Sequence, residues 1–211
     1  MQNPLSKHVK SAFITFLISV SLVAGPGVVA DSAEISLNDD SVRLAGDWSL
    51  SNSGFMLETA VIHNEERGNV ASVAALRVGD AGSDGLTAGV GLKLAYVDPD
   101  IEVATVQIVP PVAFSSPSGG ALALGGKFNY VPTDFNRLNL GGYIWFAPDV
   151  LAFDKMDKYQ EIGVYAGYNI LRDADVFVGY RNVKGSFKSD GIDFGDLTID
   201  SGVHLGIRVN F

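Results

Sequence analysis

Read backwards from its last residue, the chain alternates. Val203, Leu205, Ile207, Val209 and Phe211 fall on one side of an extended segment, and His204, Gly206, Arg208 and Asn210 on the other. The pattern recurs upstream: Leu86, Ala88, Val90, Leu92, Leu94 and Tyr96 oppose Thr87, Gly89, Gly91 and Lys93, and Ile162, Val164, Ala166, Tyr168 and Ile170 oppose Glu161, Gly163, Tyr165, Gly167 and Asn169. In residues 137–146, Leu138, Leu140, Ile144 and Phe146 are set against Arg137, Asn139, Tyr143 and Trp145. No helical period of convincing length competes. A chain of 211 residues written this way forms one all-β domain.

Which side faces out is decided by what the other side carries. A soluble barrel or sandwich would turn its apolar side inward and show a charged exterior. Here that exterior would consist of Gly, Tyr, Trp and Asn, with occasional charges such as Lys93, Lys127 and Arg208; the chain has 24 Gly and only 18% charged residues. A narrow barrel, by contrast, needs small and polar residues inside. The expectation is an antiparallel up-and-down transmembrane β-barrel with its apolar side toward lipid and no open sheet edge.

Strands are predicted at 40–50, 54–63, 69–79, 86–97, 120–131, 137–147, 159–170, 174–184 and 198–211. An even number keeps both termini on the periplasmic side, so residues 101–109 (IEVATVQIV) are taken as a tenth strand; eight strands are the second choice. On this count NEERG, DPD, VPTDFN and LRDA are periplasmic turns. The surface connections are SNS, DAGSDG and residues 110–119, 148–158 and 185–197. Trp48, Phe55 and Phe146 then mark an outer aromatic girdle, and Tyr96, Tyr130, Tyr168 and Phe211 an inner one.

The first thirty residues read as an address. Lys7 and Lys10 precede an uncharged apolar run over 11–24, too short to span a bilayer as a helix, followed by Gly25-Pro26-Gly27 and Val28-Val29-Ala30. Cleavage is placed after Ala30, leaving 31–211 as the barrel, exported to the outer membrane of a Gram-negative cell. The net charge of -9 argues against nucleic acid as a partner, and the absence of cysteine excludes disulfides, thiolate metal sites and a cysteine nucleophile. Expected partners are outer-membrane lipid, lipopolysaccharide and the barrel-assembly machinery, which would read the Phe-ended last strand. The barrel itself is expected to be a monomer without cofactors.

Residues 122–153 (LALGGKFNYVPTDFNRLNLGGYIWFAPDVLAF) and 159–184 (YQEIGVYAGYNILRDADVFVGYRNVK) closely resemble the YfaZ family of Gram-negative outer-membrane proteins. The resemblance runs through most of the chain after residue 30 and is weakest around 97–119. It implies an outer-membrane β-barrel; its motifs are structural, so no catalytic residue is carried over.

The alternation sends Arg43, Arg77, Lys93, Lys127, Arg137, Arg181 and Arg208 into the lumen, with Asp47, Glu58 and Glu161. Such a lumen is net basic. Either it is a narrow path favouring small anions, or its charges pair into a rigid plug, since a barrel of eight to ten strands has an interior about the size its own side chains fill. Small-ligand binding is a third use. A lipid-modifying enzyme would need a nucleophile and a base, and only His204 with Asp200 shares a face suitably. Asp190, Asp193 and Asp196 depart from calcium-loop spacing and read as a solvated loop. GVGLKL (89–94) lacks the third glycine of a phosphate loop and lies within a strand. Catalytic, cofactor and metal sites are therefore expected to be absent.

Overall fold

The computed structural model describes residues 28–50, 53–100, 117–189 and 192–211. Eleven strands follow one another: β1 (Val28–Leu37), β2 (Ser41–Leu50), β3 (Phe55–Asn64), β4 (Gly68–Asp80), β5 (Leu86–Pro99), β6 (Gly119–Tyr130), β7 (Leu138–Ala147), β8 (Ala152–Asp154), β9 (Met156–Leu171), β10 (Ala174–Ser189) and β11 (Ile192–Asn210). Ten of them form a closed antiparallel ring in chain order, sealed where β1 meets β11 from Ser32↔Asn210 to Leu37↔Leu205. The short β8 lies outside that succession, paired with the first residues of β6.

The ring has ten members, but not the ten predicted. The strand expected at 101–109 lies outside the described residues, and the sheet leaves it no place between β5 and β6, which pair directly from Leu86↔Tyr130 to Val97↔Gly119. The tenth member is β1. From Ser32 onward its outward face offers only Ala33, Ile35 and Leu37, and its inward face is Ser32, Glu34 and Ser36, so its apolar signal is faint beside that of IEVATVQIV. The expected cut after Ala30 falls three residues into β1, where Val28, Val29 and Ala30 pair with β2 alone and a register shift precedes Ser32.

This substitution reverses the direction of every strand from β2 to β5 relative to the prediction. The turns after β2 (SNS) and β4 (DAGSDG) share an end with both termini, VPTDFN and LRDA, as the pairs Val28↔Leu50, Phe55↔Arg77, Asp80↔Thr87 and Leu86↔Tyr130 require. NEERG and DPD lie at the far end, with residues 148–155 and the β10–β11 turn. At the terminal end Gly85 adopts φ 77° and its carbonyl accepts from Val131 N–H at 2.8 Å. A Cβ there would lie 2.1 Å from the Val131 oxygen, so the turn requires glycine. At the far end two side chains close the turns: Asn38 Oδ1 accepts from the N–H of Asp40 and Ser41, and Asn64 Oδ1 from those of Glu66 and Arg67.

The last three strands are 16, 16 and 19 residues long against 10 for the first three, so the far rim is uneven. Residues 185–197, predicted as a loop, are mostly paired: Gly185↔Leu197, Ser186↔Asp196 and Lys188↔Asp193 continue the hairpin.

Candidate functional site

Outside the ring lies an apolar band. Val90, Leu92, Leu94, Leu124, Ile144, Val164, Val178, Leu205 and Ile207 are all exposed on the outer face, Val90 at 70% and Leu205 at 67%. A surface of that kind is stable only against lipid. Of the girdle residues, Trp48, Phe55, Tyr130, Tyr168 and Phe211 ring the terminal end, while Tyr96 and Phe146 are near the far end. Trp48 and Phe55 thus stand opposite the rim predicted for them, and Tyr96 does too, because all three belong to strands whose direction was reversed.

The interior has three levels. At the far end it is filled by apolar side chains: Trp145, Tyr159, Phe187, Val97, Val183 and Ile199 are each 1% exposed or less, and Met156, Ala121 and Ala147 belong to the same cluster. Leu151 and Ala152, just before and within β8, pack against it.

Beneath that block is a layer of ion pairs. Lys93 Nζ lies 2.8 Å from Glu161 Oε2 and 3.5 Å from Glu58 Oε1, and 4.8 Å from the Trp145 ring centroid. The Tyr159 hydroxyl donates to the same Glu161 oxygen at 2.8 Å. Lys127 bridges Glu58 at 3.1 Å and Asp47 at 3.2 Å. Glu34 accepts from Arg43 and, at 2.7 Å, from Arg208. Arg181 pairs with Asp200, whose other oxygen accepts from Ser41 Oγ and Asn38 Nδ2, each at 2.9 Å. Charges this deep persist because each has a partner; removing one partner would strand the other.

The rings that frame the layer rest on glycines of the neighbouring strand. Tyr165 faces Gly141 and Tyr143 faces Gly163 across β7–β9, and Phe177 faces Gly206 across β10–β11. A Cβ on Gly141, Gly163 or Gly206 would come within 2.3–2.4 Å of the opposite ring. The glycine-lined face is therefore what lets large rings lie flat inside so narrow a tube.

The third level is a cavity of about 300 Å³ between the ion pairs and the terminal end. Arg43, Arg181 and His204 lie at its inner side, Lys127, Asp47 and Tyr165 along its wall, and Asp31, Thr87, Asn129 and Asn210 toward the end that carries the termini.

Two of the ten residues assigned to the lumen are elsewhere. Arg77 is exposed on the outer face of β4, its guanidinium 5.1 Å from the Phe55 ring centroid; inward positions on that strand are Ser72, Ala74 and Leu76, and three residues from the strand end a long cationic side chain reaches the interface. Arg137 is exposed in the turn before β7, beyond the strand whose alternation was extended to it. Conversely Glu34, Asp175 and Asp200 are inside. Glu34 was hidden with β1, whereas Asp175 and Asp200 share the parity of Arg181 and Arg208 and were legible in that register. The basic side chains inside, among the described residues, are therefore Arg43, Lys93, Lys127, Arg181 and Arg208, against the acidic Glu34, Asp47, Glu58, Glu161, Asp175 and Asp200. The lumen is not net basic.

No catalytic arrangement forms around His204. Asp200 is held by Arg181, Ser41 and Asn38, His204 packs 5.8 Å from the Phe177 ring centroid, and Ser201 accepts from Asn182 on the outer face. Of the acidic loop residues, Asp193 accepts from Gly195 N–H and Asp196 from Ser186 Oγ, while Asp190 lies outside the described residues. Among the described residues no group of three His, Asp or Glu is placed to hold a metal ion.

A closed ten-stranded meander with an apolar exterior, aromatic side chains near both ends and its charged pairs kept inside is an outer-membrane β-barrel. The chain belongs to the YfaZ family: that family's model, described as YfaZ precursor, matches residues 9–211. No curated protein matches the chain. Among solved structures it is similar to the KdgM porin, with TM-score 0.42 and 14% identity over 87% of this chain and 99% of that one. It is also similar to the outer membrane channel DcaP of Acinetobacter baumannii, with TM-score 0.38 and 15% identity over 89% of this chain and 60% of that one.

Proposed function

We propose that the protein is a non-conducting structural barrel of the outer membrane, a monomer whose terminal end faces the periplasm and whose far end faces the cell surface. The observation that carries this reading is the apolar block of Trp145, Tyr159, Phe187, Val97 and Ile199, which fills the far half of the interior above paired charges. An ion would have to cross an oily constriction that offers it no hydration, after displacing side chains that are already paired. Five interior cations against six carboxylates also remove the basis for an anion-favouring field. No catalytic role is assigned, since Asp200 is committed to Arg181. Export would remove the leader at Ala30, and a chain beginning at Asp31 keeps the whole β1–β11 seam, because pairing there starts at Ser32.

Planar-bilayer recording of the purified, refolded barrel tests the proposal. The expected result is a flat baseline across salt concentrations and voltages. Reproducible, salt-dependent unitary steps would overturn it and restore a pore.

A further inference from the structure

On the outer wall at the far end, Lys158, Gln160, Lys184 and Thr198 stand together without partners, directly above the apolar band. We infer that they seat the phosphorylated disaccharide headgroup of lipopolysaccharide at one fixed place on the barrel. The inference rests on the orientation proposed above, with the far end at the cell surface, where lipopolysaccharide forms the outer leaflet.

Alternation places the site. Tyr159, Glu161, Val183 and Phe187 are buried in the interior, so Lys158, Gln160, Lys184 and Ser186 point outward. Lys184 is in register with Gln160 on one side and Thr198 on the other, and Lys158 with Ser186, so the two lysines are diagonal neighbours on one sheet face. Lys158 and Gln160 are exposed, and Lys184 and Thr198 half-buried. Among the described residues neither lysine has a carboxylate within ion-pairing distance, and neither Gln160 nor Thr198 makes a side-chain hydrogen bond. Charged groups close by have other contacts: Asp196, which shares the row of Lys158, accepts from Ser186 Oγ, and Lys188 pairs with Asp157. Two neighbouring cations without a counter-ion repel, and an anion held by both removes the repulsion.

Position selects the occupant. One row toward the middle lie Ile162, Asn182 and Ser201, and below them the exposed Val164, Tyr180 and Val203, which face acyl chains. Lys184 and Thr198 stand beyond Leu37↔Leu205, the last pair of the β1–β11 seam, so here the wall continues past the apolar band. At the same end of β2 to β5 the outward row is Val42, His63, Asn69 and Asp98, with no Lys or Arg. The cationic face is therefore local to β9–β11. Cations and neutral polar groups spread over three strands, roughly 10 Å across, suit a disaccharide that carries phosphates better than the single small phosphodiester of a phospholipid.

The test uses the whole refolded barrel in an amine-oxide detergent with EDTA, so that no divalent ion bridges phosphate to carboxylate. It is titrated with diphosphorylated lipid A, with the same lipid after dephosphorylation, and with phosphatidylglycerol, and bound lipid is counted by native mass spectrometry. One diphosphorylated lipid A per barrel is expected, with an affinity about tenfold or more above either comparison lipid that falls as salt rises. Replacing both lysines, Lys158→Gln with Lys184→Gln, should weaken it about tenfold or more. Lys188→Gln, which removes a cation already paired, should leave it within about twofold. Retained compact migration before boiling identifies the variants that fold, and the comparison of lipids needs no variant. Equal binding of phosphatidylglycerol or of dephosphorylated lipid A would overturn the inference, as would binding unchanged in the folded double variant. Absence of lipid A binding in a barrel whose far end is shown to face outward would sink this inference alone. Unitary conductance with lipid A binding intact would sink only the non-conducting reading.

Discussion

At the residue scale, the barrel is narrow because glycines and rings share its interior as pairs. Phe177 lies against Gly206, where an added methyl would meet the ring at 2.3 Å and the Ile35 carbonyl oxygen at 2.7 Å. Neither the ring nor the sheet backbone can withdraw without disturbing the β1–β11 seam. Gly206→Ala should therefore lower unfolding stability in denaturant titration by about 1–3 kcal/mol, the cost of overpacking. Gly79→Ala, with nothing within 4 Å of the new atom, should change it by less than about 0.5 kcal/mol. Equal effects would remove the ring-on-glycine account. That Gly163, Gly167, Gly179 and Gly206 face inward was readable from parity alone. That each serves a particular partner on the adjacent strand was not, because partnership depends on register, and register between strands is set by turns and bulges that parity does not report.

At the scale of the element, β1 and β11 show the two ways a strand can be written. β11 announces itself with four alternating apolar residues, Val203 to Val209, and they face outward, Ile207 at 49% exposure opposite Ile35 of β1. Ile207→Arg should cost about 2–4 kcal/mol of folding free energy in lipid vesicles, as a cation on the lipid face near the bilayer midplane does. A cost below about 1 kcal/mol would put that position outside the hydrocarbon. β1 carries its information on the inside: Glu34 receives Arg43 and Arg208, so this faintly written strand supplies the carboxylate that joins its two neighbours. Its pattern is as regular as that of β11, but Ser, Glu and Ser alternating with Ala, Ile and Leu lack the hydrophobic contrast by which a strand is noticed. Residues 101–109 have that contrast and no place between β5 and β6.

At the scale of the whole molecule, exchanging one strand for another turns half the barrel over. The turn containing Ser83 belongs with the termini, and the turn containing Glu65 with the far end. Because the chain has no cysteine, single replacements report this cleanly. In intact cells a membrane-impermeant thiol reagent should label Glu65→Cys and spare Ser83→Cys until the outer membrane is opened. The opposite pattern would invert the proposed orientation. The alternating sequence by itself determined that the chain is all-β, that its apolar side faces lipid, and that the sheet must close with an even number of strands, because these follow from a period of two and from the cost of unpaired backbone in hydrocarbon. Only the tertiary structure decided which ten segments form the ring, which end each turn occupies, that Glu34 joins the interior, and that Arg77 and Arg137 stay outside it. Those outcomes depend on how far each strand extends and where it is offset against its neighbour. Such quantities belong to pairs of strands and to closure of the whole ring, so no single segment's pattern contains them.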